Sequence, residues 1–466
     1  MMRRHTTTSR HLRTVTTLSL VGLVATALSA VPAQADQTVG CSTADLVTAI
    51  TNANASTADP VINLDPYCVY EVSTAASADD GLPPITLAAG ITLNGNNATI
   101  KRIGSNQFRL LDVAGGGKLT VNDLTVTNGN PSSNIGGGAI LVQGNGTFIG
   151  HNLTVQGNTG NIGGGMRART NSSLTLTDSR FEDNRTSGGA STGGGLAAEG
   201  TTATLTNVDF TRNRARLGGA LYERATTFTS SGGSARFNTS GDEGGGLLFE
   251  AGTATVTGMT VADNRSATGA NQSSGGGGVY VSGGSVTLQD SVISGNKVTG
   301  SGLDVDGGGG VLVNGGSLTL VNTQVVRNQV IGQASIGGGV NIMGGTLNVT
   351  DGSTISRNVV SGAYAKGGGI NSSNPFGRPP TVTVSDSSVD LNQALGTGSF
   401  AAGVANSGGT FTFTNASVNN NSAPQSTGPG GIWTDVAITA VTGSTFTGNS
   451  PTNCLRSPQP VSTCSG

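Results

Sequence analysis

The sequence predicts an all-β solenoid. We read it as a single right-handed parallel β-helix of about 13 coils, with three short strands per coil and an N-terminal capping helix. Three observations carry this reading. Glycine supplies 76 of 466 residues while only 11% are charged. Glycine clusters return at a fixed period. A second mark, an apolar residue followed by two others and then Asn, keeps step with them.

The elements follow in chain order. Residues 1–35 read as a secretory signal peptide. Arg3, Arg4, Arg10 and Arg13 form a positive front, Leu18 to Ala30 an apolar stretch, and Ala33-Gln34-Ala35 a small-x-small cleavage site. The apolar stretch is shorter than the roughly 20 residues a membrane span needs. The expected mature chain, residues 36–466, is therefore extracellular and not inserted in a membrane. Its four cysteines lie two near each end. An even count fits an oxidising compartment, and Cys41–Cys68 with Cys454–Cys464 is the expected pairing of the three that four cysteines allow.

Residues 36–84 form the expected N-terminal cap. Ser42-Thr-Ala-Asp45 reads as a capping box, with Leu46, Ile50 and Ala53 following at helical spacing. Residues 85–449 are the expected β-helix. Two less regular coils open it, where Ile91-Thr-Leu93 and Lys118-Leu-Thr-Val121 alternate. From Gly138 to Gly431 the last glycine of each cluster recurs eleven times, at a mean spacing of about 29 residues. The Asn mark appears in Phe181-Glu-Asp-Asn184, Phe210-Thr-Arg-Asn213, Val261-Ala-Asp-Asn264, Ile293-Ser-Gly-Asn296, Ile355-Ser-Arg-Asn358 and Phe446-Thr-Gly-Asn449. Within a coil the period is two: Ser173-Leu-Thr-Leu-Thr177 and Thr410-Phe-Thr-Phe413 alternate apolar residues with Thr, as half-buried strands do. Stacked coils would place equivalent Asn residues above one another. A stack of this size is a rod of about 60 Å. Residues 450–466 form the expected disulfide-closed tail.

Composition narrows the function classes. The formal net charge is −2, so there is no basic surplus for nucleic acid. A mature chain with one histidine, His151, has no His-dependent triad or His metal cluster. Asp304-Val-Asp306-Gly307 is a weak match to a calcium-binding turn.

Chemistry is sought on the strand after each glycine cluster. With the last glycine as zero, positions +1 and +3 should face inward and +2 and +4 outward. The +4 file then contains Arg169, Glu199, Glu223 and Glu250 on successive coils, holding half of the six Glu in the chain. Like charges on neighbouring rungs raise at least one pKa and call for a cation, a substrate or a shared proton. Arg167, Tyr222, Arg224, Asp242 and Glu243 lie in or beside the same coils and are the candidate substrate-binding residues. Residues 166–265 carry ten Arg and ten acids, 20 of the 50 charges in the chain. Glu199, Glu223, Glu250 and Arg169 are the candidate catalytic set. By analogy with β-helical lyases, Arg169 would act as base while the carboxylates hold calcium, the one cofactor this reading would use. A solvated face of alternating Arg and Glu is the simpler account of the same residues. Trp433 at +2 and Asp435 at +4 should face outward on the last marked coil. Such a Trp can stack on a sugar, but packing under the C-terminal loop is its simpler role.

The paired marks resemble the Gly-Gly-Ala-Ile/Leu and Phe-x-x-Asn repeats of the chlamydial-type polymorphic outer membrane proteins. Gly218-Gly-Ala-Leu221 after Phe210-Thr-Arg-Asn213 is the best match, and the resemblance covers about residues 136–449. Cys41-Ser42 and Ala49-Ile-Thr-Asn-Ala-Asn54 are also similar to segments that precede such β-helices. The resemblance implies a secreted, adhesin-like β-helix. Family members often add a C-terminal membrane barrel, and the 17 residues after Asn449 leave no room for one. The resulting expectation is a secreted monomer that presents an adhesin-like or envelope- and glycan-interacting surface to cell-surface or extracellular partners. The alternative is an extracellular polysaccharide lyase or glycoside hydrolase using the Glu199/Glu223/Glu250 file.

Overall fold

A computed structural model describes residues 36–189, 191–267, 275–300, 307–426 and 428–466. Residues 1–35, where a secretory leader is expected, and the acidic residues of the Asp304–Gly307 segment lie outside the described residues. The chain winds into a right-handed parallel β-helix of about 13 coils. Every strand pairing is parallel and joins one coil to the next. The coil from Leu247 shows the plan: Leu247–Phe249, Gly252–Thr257, Thr260–Ala262 and Arg265–Ala267 pair with Val279–Val281, Ser285–Gln289, Val292–Ser294 and Lys297–Thr299 of the following coil.

The central coils therefore have four strands where the sequence pattern predicts three. The fourth follows the Asn mark and builds a separate nine-stranded sheet. At two to five residues it is too short to show alternation in the sequence. It still buries an inward column of Val298, Val330, Val360 and Ala394.

The second strand behaves as its alternation requires. Leu174 and Leu176 are buried while Ser173 is exposed. The third strand sends one apolar side chain inward per coil, and Phe181 and Phe210 stack there at 5.1 Å between ring centroids. The Asn after this strand is the polar spine of the rod. Asn158, Asn184, Asn213, Asn238, Asn264, Asn296, Asn328, Asn358, Asn392, Asn421 and Asn449 lie in one column, all but the last almost fully buried. Each side-chain amide donates to the next amide oxygen at 2.9–3.0 Å. The same nitrogen donates to a carbonyl of the preceding coil, as Asn296 does to Val261. The column thus satisfies its own polar groups at each turn, as buried polar atoms require.

The glycine cluster has three positions with different jobs. The first takes positive φ, +63° at both Gly193 and Gly218; in one coil Ala401 fills it at +53°. At most coils a Cβ at the second would collide with a neighbouring coil, and at Gly194 it would stand 2.2 Å from the Gly219 carbonyl oxygen; the coil with Ala401 carries Ala402 at this place. The third packs beside the Asn column, and Ala139 and Ala220 occupy it in two coils.

Both ends are covered. The helix Thr43–Asn54 is capped by Ser42, whose hydroxyl accepts from the Asp45 backbone N–H at 3.3 Å. It buries Leu46, Ala49, Ile50 and Ala53 into the core at the first coils, hiding apolar surface that an open solenoid end would expose. Cys41–Cys68 ties it to the first coil. At the other end the Cys454–Cys464 loop brings Asn453 under Asn449, and its amide oxygen accepts the last bond of the Asn column. No helix among the described residues is long and apolar enough to cross a membrane.

Candidate functional site

The charged face on residues 166–265 forms, but with a different register from the expected one. Counting from the last glycine fails wherever the third cluster position is Ala. At Gly218-Gly219-Ala220, Ala220 stands where Gly195 stands one coil earlier, so Leu196 pairs with Leu221, Ala198 with Glu223 and Glu199 with Arg224. Glu223 therefore belongs to the inward column between Ala198 and Phe249, and is 1% exposed. The outward file runs Arg169, Glu199, Arg224, Glu250. The predicted run of three like charges is an alternation of opposite ones.

These charges spend themselves on one another. Arg167 grips Glu199 through Nη2 at 2.5 Å and Nε at 2.7 Å. Arg224 lies 3.5 Å from Glu250, whose other oxygen accepts from the Tyr222 hydroxyl. Arg169 donates to Gln143 at 2.9 Å, and Arg216 pairs with Asp242 at 2.5 Å. Glu243 ends a fourth strand opposite Leu217. Tyr222 stands at +3 in the count from Gly219, an inward place in the expected register, but the structure turns it outward, where it is 4% exposed. It belongs to an apolar strip of Ala197, Tyr222, Leu248, Tyr280, Leu312 and Met343 on the outer side of the first strands, against which Ile162 and Leu217 pack. Burial, followed by its bond to Glu250, raises the Tyr222 phenol above its ordinary range.

Glu223 has a measurable consequence. Its carboxylate accepts the Thr226 backbone N–H at 2.7 Å. Burial pushes its pKa up to about 7, with the charge of Glu250 adding to the rise and the Thr226 bonds opposing it. The folded state thus holds a proton that the unfolded chain releases, so stability falls as pH rises from about 4.5 towards 7 and stays low above. At about 1.4 kcal/mol per unit the loss is on the order of 3 kcal/mol. Glu223→Gln keeps an acceptor for Thr226 and removes the charge. It should raise the melting temperature at pH 8 and leave it nearly unchanged at pH 4. An equal shift at both values would refute the assignment.

Two polar features escaped the sequence reading. Arg109 is 1% exposed, with Asp80 at 3.3 Å and Asp79 at 3.8 Å. Nearby Asp112 accepts from Gln143 at 3.2 Å, and burial, with Asp80 adding, lifts its pKa to about 6. Charged residues inside the apolar run Phe108–Val113 were the available signal. The second feature is a polar furrow of about 360 Å³ between the second and third strands of successive coils. One bank is Asp123, Asn152, Asp178 and Asn207, all at positive φ of 49–52°. The other is Thr125, Thr154, Arg180 and Asp209. On the first bank Asn152 donates to Asp123 at 2.7 Å and Asn207 to Asp178 at 2.6 Å. A furrow of about 430 Å³ with Asp386, Ser388, Asn415 and Ser417 repeats the pattern further along. The signal was an Asp or Asn closing each alternating strand, as in Leu176-Thr-Asp178 and Leu205-Thr-Asn207. Among the described residues, the one three-membered group of metal-type donors is Cys41, Asp65 and Cys68, and both its sulfurs are committed to a disulfide.

Comparison with known proteins places the fold. The family described as right handed beta helix region matches residues 245–454. No curated protein matches the sequence. Among solved structures the chain is similar to tailspike protein 3 of bacteriophage CBA120, at 14% identity and a TM-score of 0.30. The alignment covers 87% of this chain and 60% of the tailspike chain, so the protein spans under two thirds of its length. A superposition that loose fixes no residue correspondence.

Proposed function

We propose that the protein is a secreted, non-catalytic rod that binds an extracellular or envelope glycan along its side, as an adhesin-like surface would. The observation that carries this reading is the polar furrow from Asn97 to Asn207. It offers carboxylate, amide, hydroxyl and guanidinium groups on successive rungs, so a chain of hydroxylated units lying along the rod would meet a repeated set of partners. The lyase or hydrolase alternative drew on a file of three outward Glu, and that file is not formed. Glu199 and Glu250 are each held by Arg, and Glu223 is enclosed.

A glycan array probed with residues 36–466, with and without calcium, tests the reading. Binding to polysaccharide should be seen, and Asp178→Ala with Arg180→Ala should weaken it about tenfold or more. The parent should release no new reducing ends and no unsaturated uronate from soluble polysaccharides. Release of either, abolished by Glu199→Gln or Glu250→Gln, would restore the enzymatic reading.

A further inference from the structure

A different pocket opens where the third strand turns towards the fourth, in three coils of the C-terminal half. Its volume is about 410 Å³. Its floor holds the outward column Val326, Ser356 and Asp390, one residue from each of three successive third strands. Its rim is the corner residue that follows each of them: Arg327, Arg357 and Leu391, all exposed. Thr354 and Ser388 line both this pocket and the second furrow, so the two meet across the third strand.

Three features of the pocket match one kind of ligand. The first is unbalanced positive charge. Arg327 and Arg357 stand one rung apart, about 4.8 Å along the rod. The Arg residues of the earlier charged face are held by Glu199, Asp183, Asp242 and Glu250. Neither Arg327 nor Arg357 has an ion-pair partner among the described residues. Like charges on neighbouring rungs repel, and a carboxylate placed between them relieves the repulsion. The second feature is an acceptor. Asp390 takes the Asn419 backbone N–H at 2.9 Å through Oδ1, and the Ser417 hydroxyl lies 3.3 Å from either oxygen. Its Oδ2 has no other partner among the described residues and keeps capacity for a second hydroxyl. The third is apolar cover. Leu391 is 41% exposed beside Asp390, and Val326 faces outward where the coils on either side carry Ser294 and Ser356.

We propose that this pocket binds a uronate unit of an acidic glycan. The sugar carboxylate lies between Arg327 and Arg357, whose guanidiniums offer paired N–H donors. A ring hydroxyl donates to Asp390. The C–H face of the ring rests on Leu391 and Val326. Sulfate or phosphate meets only the first of the three features, and a neutral hexose only the other two. The proposal rests on the glycan-binding reading and names a class of unit for it, on residues separate from the furrow that carries that reading.

Calorimetric titration of the protein with hexagalacturonate, hexamannuronate and hexaguluronate, each as the uronate and as its methyl ester, tests the proposal. At least one uronate should bind, and both its ester and inorganic sulfate should bind at least about tenfold more weakly. Asn holds the same corner at Asn420, where φ is +56° against +57° at Arg327 and +55° at Arg357. Arg327→Asn and Arg357→Asn should therefore leave the melting temperature unchanged, and each should weaken uronate binding about tenfold or more. Leu391→Asn should weaken it about threefold or more without changing the response to sulfate. Arg378→Asn, at an exposed position outside the pocket, should bind within about twofold of the parent. No binding of any of the three uronates, an ester or sulfate binding as tightly as the uronate, or Arg327→Asn and Arg357→Asn binding as the parent does would overturn the proposal. Neutral glycans held on the array and lost with Asp178→Ala and Arg180→Ala, with no uronate bound in the calorimeter, would remove this pocket and leave the furrow reading intact. Uronate binding that survives Asp178→Ala with Arg180→Ala and is lost with Arg357→Asn would support the pocket whatever becomes of the furrow.

Discussion

Asn296→Ala should cost roughly 3 kcal/mol or more. The side chain is fully buried. Its oxygen accepts from the backbone N–H of Asn264 at 2.9 Å and from the Asn264 side chain at 3.0 Å. Its nitrogen donates to the Val261 carbonyl at 2.9 Å and to Asn328 at 3.0 Å. Truncation leaves partners on both neighbouring coils unsatisfied with no solvent to replace them, and each such group carries its full desolvation penalty. Because coils interact only with their neighbours, the damage should be local. Amide exchange should quicken in the coils around Val261 and Asn328 and stay slow near Ile100. The control is Asn207→Gly, at an exposed corner whose positive φ glycine adopts freely. It should cost less than about 1 kcal/mol. Thermal and urea melts read both, and equal losses would show that the Asn column adds nothing beyond a surface amide.

The second large effect contrasts two adjacent glycines. A Cβ on Gly194 would stand 2.2 Å from the Gly219 carbonyl oxygen of the next coil and 2.6 Å from the backbone nitrogen of Arg214, which opens the fourth strand. Neither can retreat without breaking the parallel pairing on its rung. Although one coil near the C-terminal end carries Ala402 at this place, the 2.2 Å approach at Gly194 leaves no such room, and Gly194→Ala should cost on the order of 4 kcal/mol or prevent folding. At Gly195 the same atom would meet the Ala220 carbonyl at 2.8 Å and the Phe210 ring at 2.9 Å. That contact is tight, yet the equivalent position is Ala139 in one coil and Ala220 in another. Gly195→Ala should therefore stay within about 1 kcal/mol of the parent. Melting temperatures of the two variants decide the point. A similar cost for both would mean that the clusters act by glycine flexibility in general and not by close approach at one position.

The fold was largely legible in the sequence. The glycine period, the Thr-alternating strands and the apolar-x-x-Asn mark each correspond to a fixed place in the coil. Asn158, Asn328, Asn392 and Asn421 follow Val at the apolar place as Asn264 does, and Asn238 follows Ala, so the same mark runs through the whole column. The fourth strand was hidden by its shortness. The site was much less legible. Arg167, Glu199, Arg224, Tyr222 and Glu250 do meet on one face, but as satisfied pairs. Asp178 and Asn207 looked like turn residues, and only stacking turns them into the bank of a furrow.

What the sequence determined by itself was periodic: where the chain turns, which strands are half-buried, and that the coils must stack. Those properties are set by local chemistry, by positive φ at corners and by alternation along strands. What the tertiary structure alone decided was register. A strand residue faces in or out with period two, so a slip of one position reverses it. Ala220 in the third place of its cluster moves the origin by one. That single residue sends Glu223 into the core, lifts its pKa, and brings Arg224 out between Glu199 and Glu250.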